Sequence, residues 1–199
     1  MQREEIIYAV YAIFFLLVTA SIVATPLLAE STDMTAVYNA YSYTCHQKLS
    51  RSLCTFDDGQ SRWIADCLPQ EGEYLTEPEE RLAVRVKSGD AIGYKMPVCS
   101  RDFGLYAALL MGALVYPIVR ELKDRRVPPP VFFLLALVPI ALDGGLQLGT
   151  ILLSSMGTID FVYESTNVLR LITGVIAGFA ASFYAIPLLM NMFGGPRSR

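Results

Sequence analysis

Histidine and tryptophan each occur once in this chain of 199 residues, at positions 46 and 63. A single histidine excludes the two-histidine His-Glu-x-x-His zinc motif. The sequence also lacks the Gly-rich phosphate loop that ends in Lys-Ser or Lys-Thr, and the Gly-x-Ser-x-Gly nucleophile turn. No internal repeat, low-complexity segment or nucleic-acid patch is present, and the net charge of −3 averages an apolar part over a polar insert. Charge is missing altogether over residues 6 to 29, and Lys and Arg are missing over residues 156 to 163. What remains is a chain with 53% hydrophobic residues and a mean hydropathy of +0.41, too apolar for one soluble domain.

The uncharged run is long enough to cross a hydrocarbon layer of about 30 Å at a rise of about 1.5 Å per residue. It exceeds the apolar core of a signal peptide, and Glu4 and Glu5 spoil a positive start, so it reads as a retained anchor. Three further spans follow at residues 103 to 119, 131 to 155 and 167 to 193, the third span interrupted by Asp143 and the fourth by Arg170. The predicted fold is an all-α integral membrane protein. Residues 1 to 29 supply the first helix of a four-helix transmembrane bundle and residues 103 to 199 the other three. Residues 30 to 102 form a small extracytoplasmic insert. Arg120, Lys123, Arg125 and Arg126 in one connection, with Arg197 and Arg199 in the tail, place both termini and residues 120 to 130 in the cytoplasm of a cell membrane. The run Val127-Pro128-Pro129-Pro130 suits a stiff turn into the third span.

All four cysteines lie in the insert, where an extracytoplasmic compartment permits disulfides, and three pairings are possible. The preferred pairing joins Cys54 to Cys67 around a turn at residues 57 to 60, and Cys45 to Cys99. A helix is predicted from Thr35 to Leu53, with Asp33 as its cap. Residues 81 to 95 alternate around Ser88-Gly89-Asp90 and make one candidate β-hairpin, although Thr76, Pro78 and Glu79 suit a helix start as well. Trp63 reads as the anchor of the first hairpin, and Tyr38, Tyr41 and Tyr43 as headgroup-layer residues.

The segments CHQKLSRS at 45 to 52, MPVCSRDFGLY at 96 to 106, DGGLQ at 143 to 147 and ESTNVLRLITG at 164 to 174 together resemble an uncharacterised prokaryotic multi-pass membrane family, the domain of unknown function numbered 2085. The resemblance leaves out residues 53 to 94, which look like an enlarged loop. Members of that family commonly carry a cysteine where this chain has Asp102. The resemblance implies a membrane protein and no settled activity. Asp143, Gln147, Glu164, Asn167, Gly174 and Gly178 also form a shorter pattern similar to the VanZ-like membrane proteins, which implies an envelope or lipid-linked role.

Ionisable groups cost several kcal/mol at bilayer depth unless they face a protein interior or water, so intramembrane polar residues mark a site. Asp143 and Gln147, four apart, share one helix face. Glu164, Asn167 and Arg170 recur at helical spacing on the next span, with Arg170 about two turns below its outer end. The plainest account is an Asp143–Arg170 ion pair, locked by Gln147 and Asn167, that fixes helix register. Five polar side chains with Gly144, Gly145 and Gly149 exceed what an ion pair needs and point to an outward pocket. His46, Arg101 and Asp102 are placed over it. In that reading Asp143, Glu164 and His46 are the catalytic candidates, and Gln147, Asn167, Arg170, Arg101 and Arg51 bind the ligand.

Two further expectations concern metal and partners. Cys45, His46, Cys99 and Asp102 are an alternative zinc set. An oxidising compartment favours the disulfide, and neighbouring residues on a helix point about 100° apart, so no metal is preferred. Gly174 and Gly178 form a small-xxx-small pair for close helix contact, within the bundle or between protomers of a homo-oligomer. The partners expected are membrane lipids and an anionic lipid-linked substrate or an ion, with no nucleic acid. The favoured function is a membrane-embedded enzyme acting on an anionic or phosphorylated lipid-linked group. The alternatives are an ion, proton or solute transporter, and a structural or sensing module. Polar residues are almost absent from 131 to 142 and 179 to 193, which weighs against a continuous path.

Overall fold

The computed structural model describes residues 2–45, 47–67, 73–74 (backbone only) and 85–195. The chain divides into two compact units, one of residues 1–18 with 104–199 and the other of residues 19–103. Among the described residues four helices are long and apolar enough to cross a membrane: α1 (Arg3–Leu28), α3 (Ser100–Val119), α4 (Pro130–Ser155) and α5 (Asn167–Phe193). Their bounds follow the apolar runs closely. Pro129 and Pro130 open α4, where a missing amide proton costs nothing.

In the first unit, Tyr11 of α1, Leu109, Ala113 and Tyr116 of α3, and Ile186 and Met190 of α5 form the core. Contact between α3 and α5 is backbone-close. A Cβ built on Gly178 would run into the Leu105 carbonyl, one on Gly112 into the Ser182 side chain, and one on Gly104 would lie 2.5 Å from the Leu171 carbonyl. The small-xxx-small pattern therefore packs α5 inside its own bundle at Gly178. Helix α4 lies along α5, with the Phe133 and Tyr184 rings 5.0 Å apart and the Tyr184 hydroxyl donating to the Pro129 carbonyl at 2.7 Å. The opposite face of α4 exposes Leu134, Leu135, Leu142, Leu146 and Leu148, a surface that suits hydrocarbon. At the other end of the bundle from the α4–α5 connection, buried Arg125 donates to the carbonyls of Gly194 and Gly195 and pairs with Glu4. One arginine thus caps α5 and ties down the start of α1.

The second unit corrects the all-α expectation. It holds a five-stranded sheet in the order β2-β1-β5-β4-β3, every neighbour antiparallel. The strands are β1 (Leu53–Asp57), β2 (Arg62–Asp66), β3 (Glu73–Tyr74), β4 (Arg85–Ser88) and β5 (Ala91–Lys95). Asp57 accepts the Gly59 amide, and Asp58 accepts those of Gln60 and Ser61, which closes the β1–β2 turn with Gly59 at φ +82°. Cys54 and Cys67 are joined, as the spacing predicts, beneath Phe56 and Val86. Trp63 stacks on Phe56 across the β1–β2 pair, ring centroids 5.8 Å apart. The hairpin around Ser88-Gly89-Asp90 is β4–β5. Its residues 81 to 84, and the alternative helix start at Thr76, Pro78 and Glu79, lie outside the described residues.

The helix predicted from Thr35 to Leu53 is shorter. Helix α2 spans Thr35–Ser42, and a 3-10 turn covers Leu49–Arg51. Its N-cap position is Met34, although Asp33 still accepts the Thr35 amide at 2.9 Å. Gln47 sits at φ +50°, a left-handed conformation that no helix accommodates. Tyr38 is not a headgroup-layer residue. It is fully buried, and its hydroxyl donates to the Lys95 carbonyl.

Candidate functional site

Polar side chains of α4 and α5 converge because the connection between them folds back. The Tyr163 amide donates to the Thr150 hydroxyl at 3.0 Å, so the chain returns along α4 before α5 begins. Thr166 caps α5, accepting the Leu169 amide at 3.2 Å. Arg170, in the first turn, then lies level with Gln147, about 12 Å along α4 from Ser155 at a rise of about 1.5 Å per residue. Arg170 is 2% exposed. Its Nη2 donates to Gln147 Oε1 at 3.1 Å, and its Nε to the Ser165 carbonyl at 3.0 Å. Asp143 is 4% exposed and accepts the Tyr163 hydroxyl at 3.1 Å.

The arrangement follows a physical requirement. Backbone outside helices is tolerated at membrane depth only where protein or water satisfies its polar groups. Here Thr150 satisfies the Tyr163 amide and Arg170 the Ser165 carbonyl, so the polar side chains support the returning segment. Asp143, Gln147, Asn167 and Arg170 are all buried. Glu164 differs from these four. It precedes the Thr166 cap and is exposed, so it does not extend the helical stripe of Asn167 and Arg170. For the same reason Arg170 lies in the first turn of α5, not two turns in. A Cβ on Gly145 or Gly149 would meet open space, and Gly145 is exposed, so that glycine lies on an outer face of α4. Sequence reasoning missed Tyr163, Thr150 and Ser165, because an aromatic and two small hydroxyl residues near a helix end carry no distinctive pattern.

The second unit gathers a separate cluster. Cys45 and Cys99 stand as two thiols, which corrects the expected second disulfide. Their Sγ atoms and a carboxylate oxygen of Asp102 all lie within 4.8 Å of one another. The Cys99 thiol approaches Asp102 Oδ2 at 3.2 Å, and the amides of Cys99 and Gln47 donate to Cys45 Sγ at 3.2 and 3.4 Å. The Cys99 thiol beside it, helped by the Gln47 amide, holds the Cys45 thiol below its ordinary pKa against burial. The same contact, together with burial and the Asp102 charge, pushes Cys99 up. Buried Lys95 donates to the Gln47 carbonyl at 3.0 Å, and its pKa is brought down to about 8 by burial. Arg51 and Arg101 are half-buried, and the Arg51 carbonyl accepts the Ser100 hydroxyl at 3.2 Å. His46 lies outside the described residues.

A sequence model described as "Predicted membrane protein (DUF2085)" matches residues 88–184. That stretch contains Cys99, Asp102, Asp143 and Arg170 and omits β1 and β2. The uncharacterized protein MJ1492 of Methanocaldococcus jannaschii is 30% identical over 193 residues, covering 93% of this chain and 94% of that protein. No solved structure matches.

Proposed function

We propose, for a chain that belongs to the DUF2085 family of predicted membrane proteins, that the returning α4–α5 connection frames a one-sided site for the anionic head of a lipid-linked molecule. The observation that carries the reading is the Tyr163–Asp143 hydrogen bond at 3.1 Å. It links a half-exposed phenol to a 4% exposed carboxylate one helical turn from Gln147, the residue that accepts from buried Arg170.

In this reading buried Arg170, held by Gln147 and the Ser165 carbonyl, supplies from beneath the site the positive charge that an anionic head requires. Asp143 accepts a proton through Tyr163, so the pair moves a proton between the site and the carboxylate. Glu164, exposed at the rim, screens which heads approach. In this reading the basic connection at residues 120 to 130 faces the cytoplasm, as basic loops commonly do, and the site opens to the extracytoplasmic side. An enzyme is favoured over a transporter because polar side chains are scarce in residues 131 to 142 and 179 to 193, which weighs against a continuous path.

The test is thermal melting of the full chain in lipid nanodiscs doped with a polyprenyl phosphate or with the matching polyprenol. The reading predicts a higher melting temperature with the phosphate alone. Equal melting with both lipids overturns it.

A further inference from the structure

We propose that Cys45, Cys99 and Asp102 bind one zinc-class divalent cation. The inference stands apart from the α4–α5 site, because all three residues belong to the unit of residues 19–103.

Zinc sits about 2.3 Å from sulfur and about 2.0 to 2.2 Å from oxygen in a tetrahedron, so its ligand atoms lie about 3.3 to 3.8 Å from one another. The three ligand atoms here fall within 4.8 Å of one another, with Cys99 Sγ and Asp102 Oδ2 at 3.2 Å. A cation at the centre of that triangle reaches all three with small side-chain rotations.

The surroundings of Cys45 favour a metal-bound thiolate. Two backbone amides, from Gln47 and Cys99, point at its sulfur. Amide-to-sulfur bonds of this kind orient and stabilise a metal-bound thiolate, as outer partners of ligands do generally. Helix α2 ends at Ser42, and beyond it Gln47 takes φ +50°. Cys45 therefore lies outside helix, and the objection drawn from helical side-chain directions does not apply to it. Gln47 is itself 3% exposed, and its Oε1 is buried with no hydrogen-bond partner among the described residues. Buried acceptors left open in this way call for a missing donor such as water or an ion.

Two thiolates and one carboxylate form a mixed soft and hard set that suits zinc and not calcium or magnesium, and three protein ligands leave the fourth tetrahedral position to another donor. The contrast within the same unit is informative, since Cys54 and Cys67 are bonded while Cys45 and Cys99 are not.

The experiment uses the full chain, purified without chelator, metal-affinity resin or reductant. Zinc is measured per chain, then replaced by cobalt(II), whose thiolate ligation gives a near-ultraviolet charge-transfer band. About one zinc per chain is expected, with a cobalt band that Cys99→Ser abolishes. Asp102→Asn should weaken cobalt binding by more than about 10-fold, given that even outer partners of a ligand are worth about 10- to 100-fold. Peptide mass mapping of the untreated protein guards against a variant that misfolds. A Cys45–Cys99 disulfide in the isolated chain, zinc well below one per chain, or cobalt bound without the thiolate band each overturns the proposal.

Discussion

The Tyr163 hydroxyl donates to Asp143 Oδ1 across 20 residues of sequence, at 3.1 Å, and joins the segment that returns after α4 to a carboxylate buried within it. Tyr163→Phe removes the donor and leaves a buried acceptor short of one bond. A loss of about 1 to 3 kcal/mol follows, the cost of an unsatisfied buried group. Thermal melting in nanodiscs measures it. An unchanged melting temperature would mean that the bond contributes nothing.

Arg170 and Asp143 are opposite charges buried in the first unit, with Arg170 donating to Gln147, one helical turn from Asp143 on α4. Removing either charge alone strands the other, at a cost of about 3 to 5 kcal/mol, whereas replacing both by apolar residues is close to neutral. Arg170→Leu should therefore melt far below the parent chain, and Arg170→Leu combined with Asp143→Leu should recover most of the loss. Additive losses in the double variant would show that the two charges do not compensate one another.

Packing between α3 and α5 depends on missing side chains. Gly178→Leu forces a Cβ into the Leu105 carbonyl, a backbone atom that cannot swing aside, and overpacking of this kind costs about 1 to 3 kcal/mol. Gly145→Ala, where a Cβ meets open space, is the matched control and should melt at least as high as the parent. Reversal of that order would displace the close contact from the bundle core.

The Cys54–Cys67 bridge closes a sequence separation of 13 residues, worth about 3 kcal/mol by loop-closure entropy. Trp63, the one tryptophan, stacks on Phe56 in the same sheet and so reports on that unit. Reductant should lower the transition seen by tryptophan fluorescence. In a Cys54→Ser, Cys67→Ser variant reductant should have no further effect.

Lys95 gives the sheet unit a pH signature. Its folded pKa is about 8 against an ordinary 10.5, so between those values the unfolded chain holds a proton that the folded chain has released. Stability therefore rises with pH across that interval, by about 2 kcal/mol between about pH 8 and pH 9.5. Below the folded pKa both forms are charged and the slope vanishes. Buried Tyr38, whose pKa is raised by burial, acts in the opposite sense once unfolded tyrosine begins to ionise near pH 10. The rise should be present in the parent chain and absent from Lys95→Met. Parallel curves for the two would remove Lys95 as its source.

Much of the bundle was legible because a span needs about 20 apolar residues and little else. Asp143, Gln147, Asn167 and Arg170 stood out against that background, and all four are buried. Glu164 was misplaced because helical spacing continues on paper through Thr166, where the cap ends it. The sheet was harder to read. Strands of five residues such as Leu53–Asp57 and Arg62–Asp66 offer too few alternations to distinguish from loop, and only their turn and cysteines marked the first hairpin. The end of α2 at Ser42 was hidden because residues 43 to 53 hold no glycine or proline to announce a stop. Tyr163 was invisible for a different reason: its role depends on the chain turning back, a feature of tertiary structure.

The central claim is that the α4–α5 network receives an anionic lipid head. Native mass spectrometry of the full chain, offered equal amounts of a polyprenyl phosphate and its polyprenol, tests it most directly. The account predicts that the parent chain retains the phosphate preferentially, and that the stable Arg170→Leu, Asp143→Leu variant loses that preference. Equal retention of both lipids by the parent, or an undiminished preference in the variant, would contradict it.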